Sequence, residues 1–258
     1  MDKPIGIILT SIERPQALKK SVKSILATWQ ENFILFIGLQ DDYESESFNI
    51  ISKIIEDNPG KEIRLYDLEY NCGISKARNE LIQKAHLWNC SHILLTADSI
   101  MFDESMQSTD LIIQGMNVNQ FDICGIELDN RISWEANLNL IEGQSFELDF
   151  INKDPSKNFF KCDIVRNFWL AKTEALVKIP YDEELIMCEH EDFFWRFKQE
   201  GFLVGCTNLC SGTYNKGENT PEYDKIRATN FRIGMQRLIN KYSLKRWVVY
   251  KNLERTQL

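Results

Sequence analysis

Ile5-Gly6-Ile7-Ile8-Leu9-Thr10-Ser11-Ile12-Glu13-Arg14-Pro15 is the stretch on which the fold turns. Its run over 5–9 is continuously apolar, the pattern of a strand buried on both faces rather than one exposed on alternate residues. Thr10 and Ser11 end the run, and Arg14-Pro15 opens a helix. Proline is tolerated in a first helical turn because its missing N–H would have no intrahelical partner. Leu18, Val22, Ile25 and Leu26 then recur at helical spacing.

The same alternation continues outward. A second apolar run over 33–39 ends in Gln40-Asp41-Asp42. Ile50, Ile51, Ile54 and Ile55 form a helical stripe that Asn58-Pro59-Gly60 stops. Residues 63–66 read as a third strand. Ile74, Ala77, Leu81, Ile82 and Ala85 mark a third helix, and 92–96 a fourth strand. This order predicts an α/β fold, a mostly parallel sheet flanked by helices on both faces. Ligands of such sheets bind outside the carboxyl ends of the strands. Thr10-Ser11, Asp41-Asp42 and Ala97-Asp98-Ser99 each follow a strand, so they are expected along one rim. Neither GxGxxG nor GxxxxGKS/T occurs, so a dinucleotide fingerprint or phosphate loop has no support.

The second half is less regular. Residues 121–126, 146–150 and 202–206 look like strands, and 173–178 and 191–200 like helices, the latter ended by Gly201. Residues 129–143 are polar around Trp134 and read as a loop over the site. The expected organisation is one domain over 1–220, with a nucleotide-binding half (1–100) and an acceptor-binding half (101–220). A basic helical extension follows over 221–258. From Lys225 onward nine basic residues, among them Arg227, Arg232, Lys241 and Arg255, face one acidic residue, Glu254. Phe231, Met235, Leu238 and Trp247 are interleaved with them. Such a helix either lies on an anionic membrane near lipid-linked acceptors or packs on the domain with its charges in water. The packed form is the expectation.

Composition sets outer bounds. The chain has 258 residues, 43% apolar and 26% charged, as in ordinary soluble globular proteins. A net charge of -8 argues against broad nucleic-acid binding. No stretch approaches the roughly 20 apolar residues that span a bilayer, and the first apolar run is too short for a signal-peptide core. A cytoplasmic location is expected, with peripheral contact at the inner membrane face if the tail binds lipid. The cysteines number seven and form no CxxC pair, so neither a disulfide framework nor a cysteine zinc site is suggested.

At the rim residues the chain resembles glycosyltransferase family 2 and related GT-A enzymes. The resemblance runs over roughly 5–210. Residues 7–15, with Leu18 and Ser24, resemble the family's opening strand and turn. Asn71-Cys72-Gly73-Ile74-Ser75-Lys76-Ala77-Arg78-Asn79 resembles its N-x-G-x-x-x-A-R-N segment. Leu94-Leu95-Thr96-Ala97-Asp98-Ser99 sits where the family carries its aspartate-rich metal motif. Glu189-His190-Glu191-Asp192, with Arg196 and Gly201, matches E-D-x-D/E-x-x-x-R-x-x-x-x-G except at His190. Residues 167–171 and 189–194 are also similar to β-1,4-N-acetylgalactosaminyltransferases.

The resemblance implies transfer of a sugar from a UDP-sugar to a glycan or lipid-linked saccharide, by an inverting route assisted by Mn²⁺ or Mg²⁺. The product would be a glycan such as a bacterial surface polysaccharide. It implies donor contacts from Thr10, Glu13, Asp41 or Asp42, and Arg78. Asp98 is the implied metal ligand, with His190 as a further ligand. Thr96 and Ser99 occupy positions that often hold aspartate, so only one carboxylate remains in that motif. A base must take the acceptor's proton as the anomeric carbon is attacked. The candidates are Asp192 and Glu191, then His190 and Glu189. Each also has a plain structural reading: a solvated turn for Asp41-Asp42, an acidic helix N-terminus for 189–192, a surface ion pair for Arg78. Two rival functions stand: a degenerate GT-A domain that binds glycan without turnover, and a nucleotidyltransferase, which the missing glycine-rich phosphate loop disfavours.

Overall fold

The structure is a computed structural model and describes residues 3–30, 32–129, 134–215, 217 and 219–252. The first half alternates as the apolar runs predict: β1 (Ile5–Ser11), α1 (Pro15–Ala27), β2 (Phe33–Leu39), α2 (Glu46–Asp57), β3 (Ile63–Asp67), α3 (Ile74–Leu87) and β4 (His92–Ala97). β1 pairs parallel with β2 and β4, and β2 with β3. Successive side chains of a strand point to opposite faces. Ile5, Ile7 and Leu9 therefore enter one core with Leu18, Val22 and Ile25 of α1, while Ile8 enters the other with Leu81 and Ile82 of α3. Double-sided burial is why these strands carry no polar alternation.

The second half adds β5 (Ile100–Phe102), a short 3₁₀ turn (Glu104–Ser108), α4 (Thr109–Asn119), β6 (Ile123–Asp129), β7 (Ala136–Ile141), β8 (Ser145–Phe150), β9 (Phe159–Cys162) and β10 (Trp169–Lys172). It ends in α5 (Thr173–Lys178), α6 (His190–Gln199), β11 (Val204–Tyr214), α7 (Pro221–Lys241) and β12 (Val248–Lys251). The main sheet runs β3-β2-β1-β4-β10-β6-β11-β5, with β9 also on β11. β10 slots antiparallel between β4 and β6, setting Trp169 beside Leu95 and Gly125. A second sheet has the order β12-β8-β7.

Two expectations change. The stretch over 129–143 is not wholly a loop: from Ala136 it forms β7, antiparallel to β8. Buried Ala136 and Leu138 alternate with exposed Asn137 and Asn139, a period of two that the polar composition masked. Residues 130–133 lie outside the described residues.

The basic tail is helical only to Lys241. Beyond it, Val248–Lys251 adds β12 parallel to β8. Leu238 and Leu244 are buried in the core shared with β7, β8 and α6, and Trp247 packs against it. Glu254 and Arg255 lie outside the described residues. Among the described residues no helix is long and apolar enough to cross a membrane. The cysteines are free thiols, and all but the half-buried Cys72 are buried.

Candidate functional site

A cavity of about 570 Å³ opens at the carboxyl ends of β1, β2 and β4. Thr10, Ser11, Gln40, Ala97, Asp98 and Ser99 line it, so the rim expected from the strand ends is assembled there. The start of α3 contributes Gly73, Ile74 and Arg78, and His190 comes from the first turn of α6. α7 closes the far side with Tyr223, Ile226, Arg227 and Asn230. That helix is clamped down by Asn230 Nδ2, which donates to Asn71 Oδ1 at 2.7 Å, and by Thr220 Oγ1, which donates to the Glu13 carbonyl at 2.9 Å.

Asp98 is buried at the bottom of this rim. Ser11 Oγ donates to its Oδ2 at 2.7 Å, and Arg14 Nη1 to its Oδ1 at 2.5 Å. Burial raises its pKa, while Arg14 and Ser11 oppose that rise. Arg14 also stacks over the Tyr223 ring, 4.7 Å from its centroid, and the Tyr223 hydroxyl accepts from Arg227 Nη1 at 3.0 Å. Ser11 at the end of β1, Arg14 in the first loop, Asp98 just past β4 and two residues of α7 thus form one connected cluster.

The other donor candidates are less uniform. Arg78 lines the cavity, but its Nη1 donates to Glu189 Oε1 at 2.6 Å and both side chains are buried. Asp41 is buried outside the lining, where its Oδ1 accepts from the Glu13 N–H at 2.6 Å. This bond fixes Glu13 in the left-handed region, at φ 52°. Burial, then the Asp41 charge, raises the Glu13 pKa. Asp42 is exposed on the turn. Neither Glu13, Asp41 nor Asp42 lines the cavity; Gln40 and Asn71 stand in the wall instead.

The acidic cluster at α6 is divided. Successive residues of a helix project about 100° apart, so neighbours in sequence face different surroundings. His190 faces the cavity, with Nδ1 3.0 Å from Asn167 Oδ1. Burial pushes its pKa down to about 4, with Glu189 and the Val165 carbonyl pulling the other way. Glu191 points toward the C-terminal segment beside Trp247; it is 1% exposed, and burial pushes its carboxyl up to about 7. Asp192 is fully buried, accepting from Arg196 Nε and Tyr242 Oη at 2.8 Å each and paired with Lys241 Nζ at 2.6 Å. Glu189, Glu191 and Asp192 are absent from the cavity lining. Their partners are structural: Arg78 for the first, α7 and the chain beyond it for the others.

The residues present do not by themselves build the expected divalent-metal site. Both Asp98 oxygens are engaged by Ser11 and Arg14. His190 Nδ1 is engaged by Asn167. Among the described residues no three His, Cys, Asp or Glu side chains gather, so the lining offers a cation only the Asp98 carboxylate and the His190 imidazole. The lining carries instead four arginines, Arg14, Arg78, Arg166 and Arg227, against the single carboxylate of Asp98. Sequence reading missed Arg166, Asn167 and Arg227 as site residues. Asn167 stood at the edge of the stretch similar to the N-acetylgalactosaminyltransferases, and Arg227 was counted with the basic tail.

No protein-family model matches the chain. An uncharacterised glycosyltransferase of Methanocaldococcus jannaschii is 26% identical over 203 residues, covering 76% of this chain and 65% of the relative. The chain therefore spans under two thirds of that protein. Among solved structures, a 1–349 fragment of S. aureus TarS superposes with TM-score 0.60 at 11% identity, covering 92% of this chain and 66% of that one. GalNAc-T7, solved with UDP, GalNAc and Mn²⁺, gives TM-score 0.66 at 10% identity, covering 85% of this chain and 45% of the other. Both are GT-A glycosyltransferases. The chain has the GT-A fold. TarS has also been solved with UDP-GlcNAc.

Proposed function

We propose that this GT-A chain transfers a sugar from a UDP-sugar to a hydroxyl of a glycan or lipid-linked saccharide, with inversion. The observation that carries this reading is the cavity itself: arginine side chains in a wall that also presents the neutral imidazole of His190. A diphosphate suits the first, and a hydroxyl losing its proton suits the second.

His190 is the proposed base. The Asn167 carbonyl oxygen, 3.0 Å from Nδ1, can only accept; with the ring proton held there, Nε2 is the nitrogen that takes the acceptor's proton. The acceptor oxygen attacks the anomeric carbon, its proton passes to Nε2, and the bond to the diphosphate breaks with its electron pair on UDP. Asp192 and Glu191, ahead of His190 on spacing alone, become supports of the helix that presents it. Glu189 holds Arg78. Thr10 and Arg78 face the donor, while Asp41 and Glu13 shape the loop beside it. Peripheral membrane contact would fall to the exposed face of α7 and to the exposed Lys245, Arg246 and Lys251 after it, since the other face of α7 is packed.

The test is UDP release from a panel of UDP-sugars, with and without saccharide acceptors. Acceptor-stimulated release that His190→Gln lowers by roughly 10²- to 10⁴-fold, with unchanged UDP affinity, supports the reading. UDP-sugar binding with no release under any acceptor would favour the non-catalytic alternative.

A further inference from the structure

We propose that arginines of this chain, Arg227 and Arg166 foremost, hold the donor's diphosphate directly, so that binding and transfer need no divalent metal. The inference rests on the UDP-sugar reading above and deepens it.

Three observations lead there. First, Asp98 has already spent its charge: Arg14 and Ser11 occupy both of its oxygens. A cation entering here would find a single carboxylate whose charge a buried guanidinium already balances. Second, the chain is net acidic at -8, yet its large cavity is lined by four arginines and one aspartate. Even with Arg14 paired to Asp98 and Arg78 to Glu189, positive side chains outnumber negative ones here, and a low-dielectric cleft lined mainly by one sign concentrates the opposite sign. Third, the arginines are held in place. Arg14 and Arg227 flank Tyr223, one over its ring and the other on its hydroxyl, beside Asp98. Arg166 stacks over Trp134, with 5.5 Å to the ring centroid. A planar guanidinium already oriented by aromatic contact loses little freedom when it forks two phosphate oxygens.

The arrangement also assigns work to α7. Arg227 lies two turns into that helix, which is bound to Asn71 and to the Glu13 carbonyl. The C-terminal segment therefore completes the donor site rather than trailing from it. When the anomeric bond breaks, charge grows on the β-phosphate, and fixed cations there stabilise the leaving group without proton transfer.

The test is calorimetry with UDP and with uridine, each in EDTA and in Mn²⁺, on the full chain and on Arg227→Gln and Arg166→Gln. Equal UDP affinity in the two buffers is expected. Each variant should weaken UDP by roughly tenfold to a hundredfold, the worth of a hydrogen bond to a charged group, while uridine binding is unchanged. Arg227 is exposed, so its substitution should leave the melting temperature near wild type. UDP binding that strengthens sharply with Mn²⁺ overturns the inference while sparing the UDP-sugar reading. Wild-type UDP affinity in both variants overturns it too. If UDP binds in neither buffer, the donor reading itself fails.

Discussion

Arg14 Nη1 donates to Asp98 Oδ1 at 2.5 Å, and the two side chains are only 4% and 10% exposed. A buried pair of this kind is hard to break from one side, because the remaining charge is left without compensation. Asp98→Asn is therefore expected to cost about 3–5 kcal/mol of folding stability in urea denaturation. A ligand to an external ion, with no internal partner, would lose ion binding and little stability. Unchanged stability in the Asn variant would show that the pair does not hold the loop.

The pH profile separates two of the bases that the α6 sequence offers, His190 and Glu191. His190 must be neutral to accept a proton, and burial holds its pKa near about 4 instead of the ordinary 6.5. Activity at limiting substrate should then rise with pH through about 4 and be level by pH 6. Glu191 must be ionised to act, and burial raises its pKa to about 7. With Glu191 as base, kcat/KM would climb tenfold per unit up to about pH 7. A limb near 7 that disappears in Glu191→Gln would return the role to the carboxylate.

How much of this was legible follows from where each residue's surroundings come from. Thr10 and Asp98 reach the cavity because the strands they end or follow, β1 and β4, are contiguous apolar runs, a local signal, while Arg78 reaches it from the start of α3. The facing of Glu191 and Asp192 was not legible. Both sit in a helix whose spacing matches the family pattern, yet their directions are set by Tyr242 and Trp247, some fifty residues later. Asp41 looked like a ligand on the same grounds as Asp98, but a single backbone N–H, that of Glu13, claims it. Arg227 carried the opposite error. Its sequence neighbours are solvent-facing cations, and only the docking of α7 on Asn71 brings it to the wall.

Glu191 also leaves a signature on stability. Its folded pKa of about 7 exceeds the ordinary 4.5, so the native state holds a proton that the unfolded chain releases. The sign follows from linkage: the contribution is full below 4.5 and is lost as pH rises through about 7. The shift corresponds to roughly 3 kcal/mol, at 1.36 kcal/mol per unit. Wild-type stability should fall across pH 4.5–7 relative to Glu191→Gln, and the two curves should run parallel above that window. Parallel curves throughout would show that Glu191 titrates as if in water.

Gly234 offers a test of α7 in which sign rather than size decides. It lies inside that helix, where replacing glycine with alanine ordinarily stabilises by about 1 kcal/mol. Here a Cβ on residue 234 would stand 2.0 Å from the Met187 carbonyl oxygen, a backbone atom that cannot swing aside. The loop it would strike includes Ile186 and Met187, which line the cavity, and the helix it would displace carries Tyr223, Ile226, Arg227 and Asn230. Gly234→Ala is expected to destabilise by about 1–3 kcal/mol, the usual cost of overpacking. It should also weaken UDP binding, although residue 234 does not touch the cavity. Denaturation and calorimetry on the same preparation check both effects. If alanine stabilises the protein and UDP affinity is unchanged, α7 is not clamped against Met187. The helix would then be an appendage to the site rather than one of its walls.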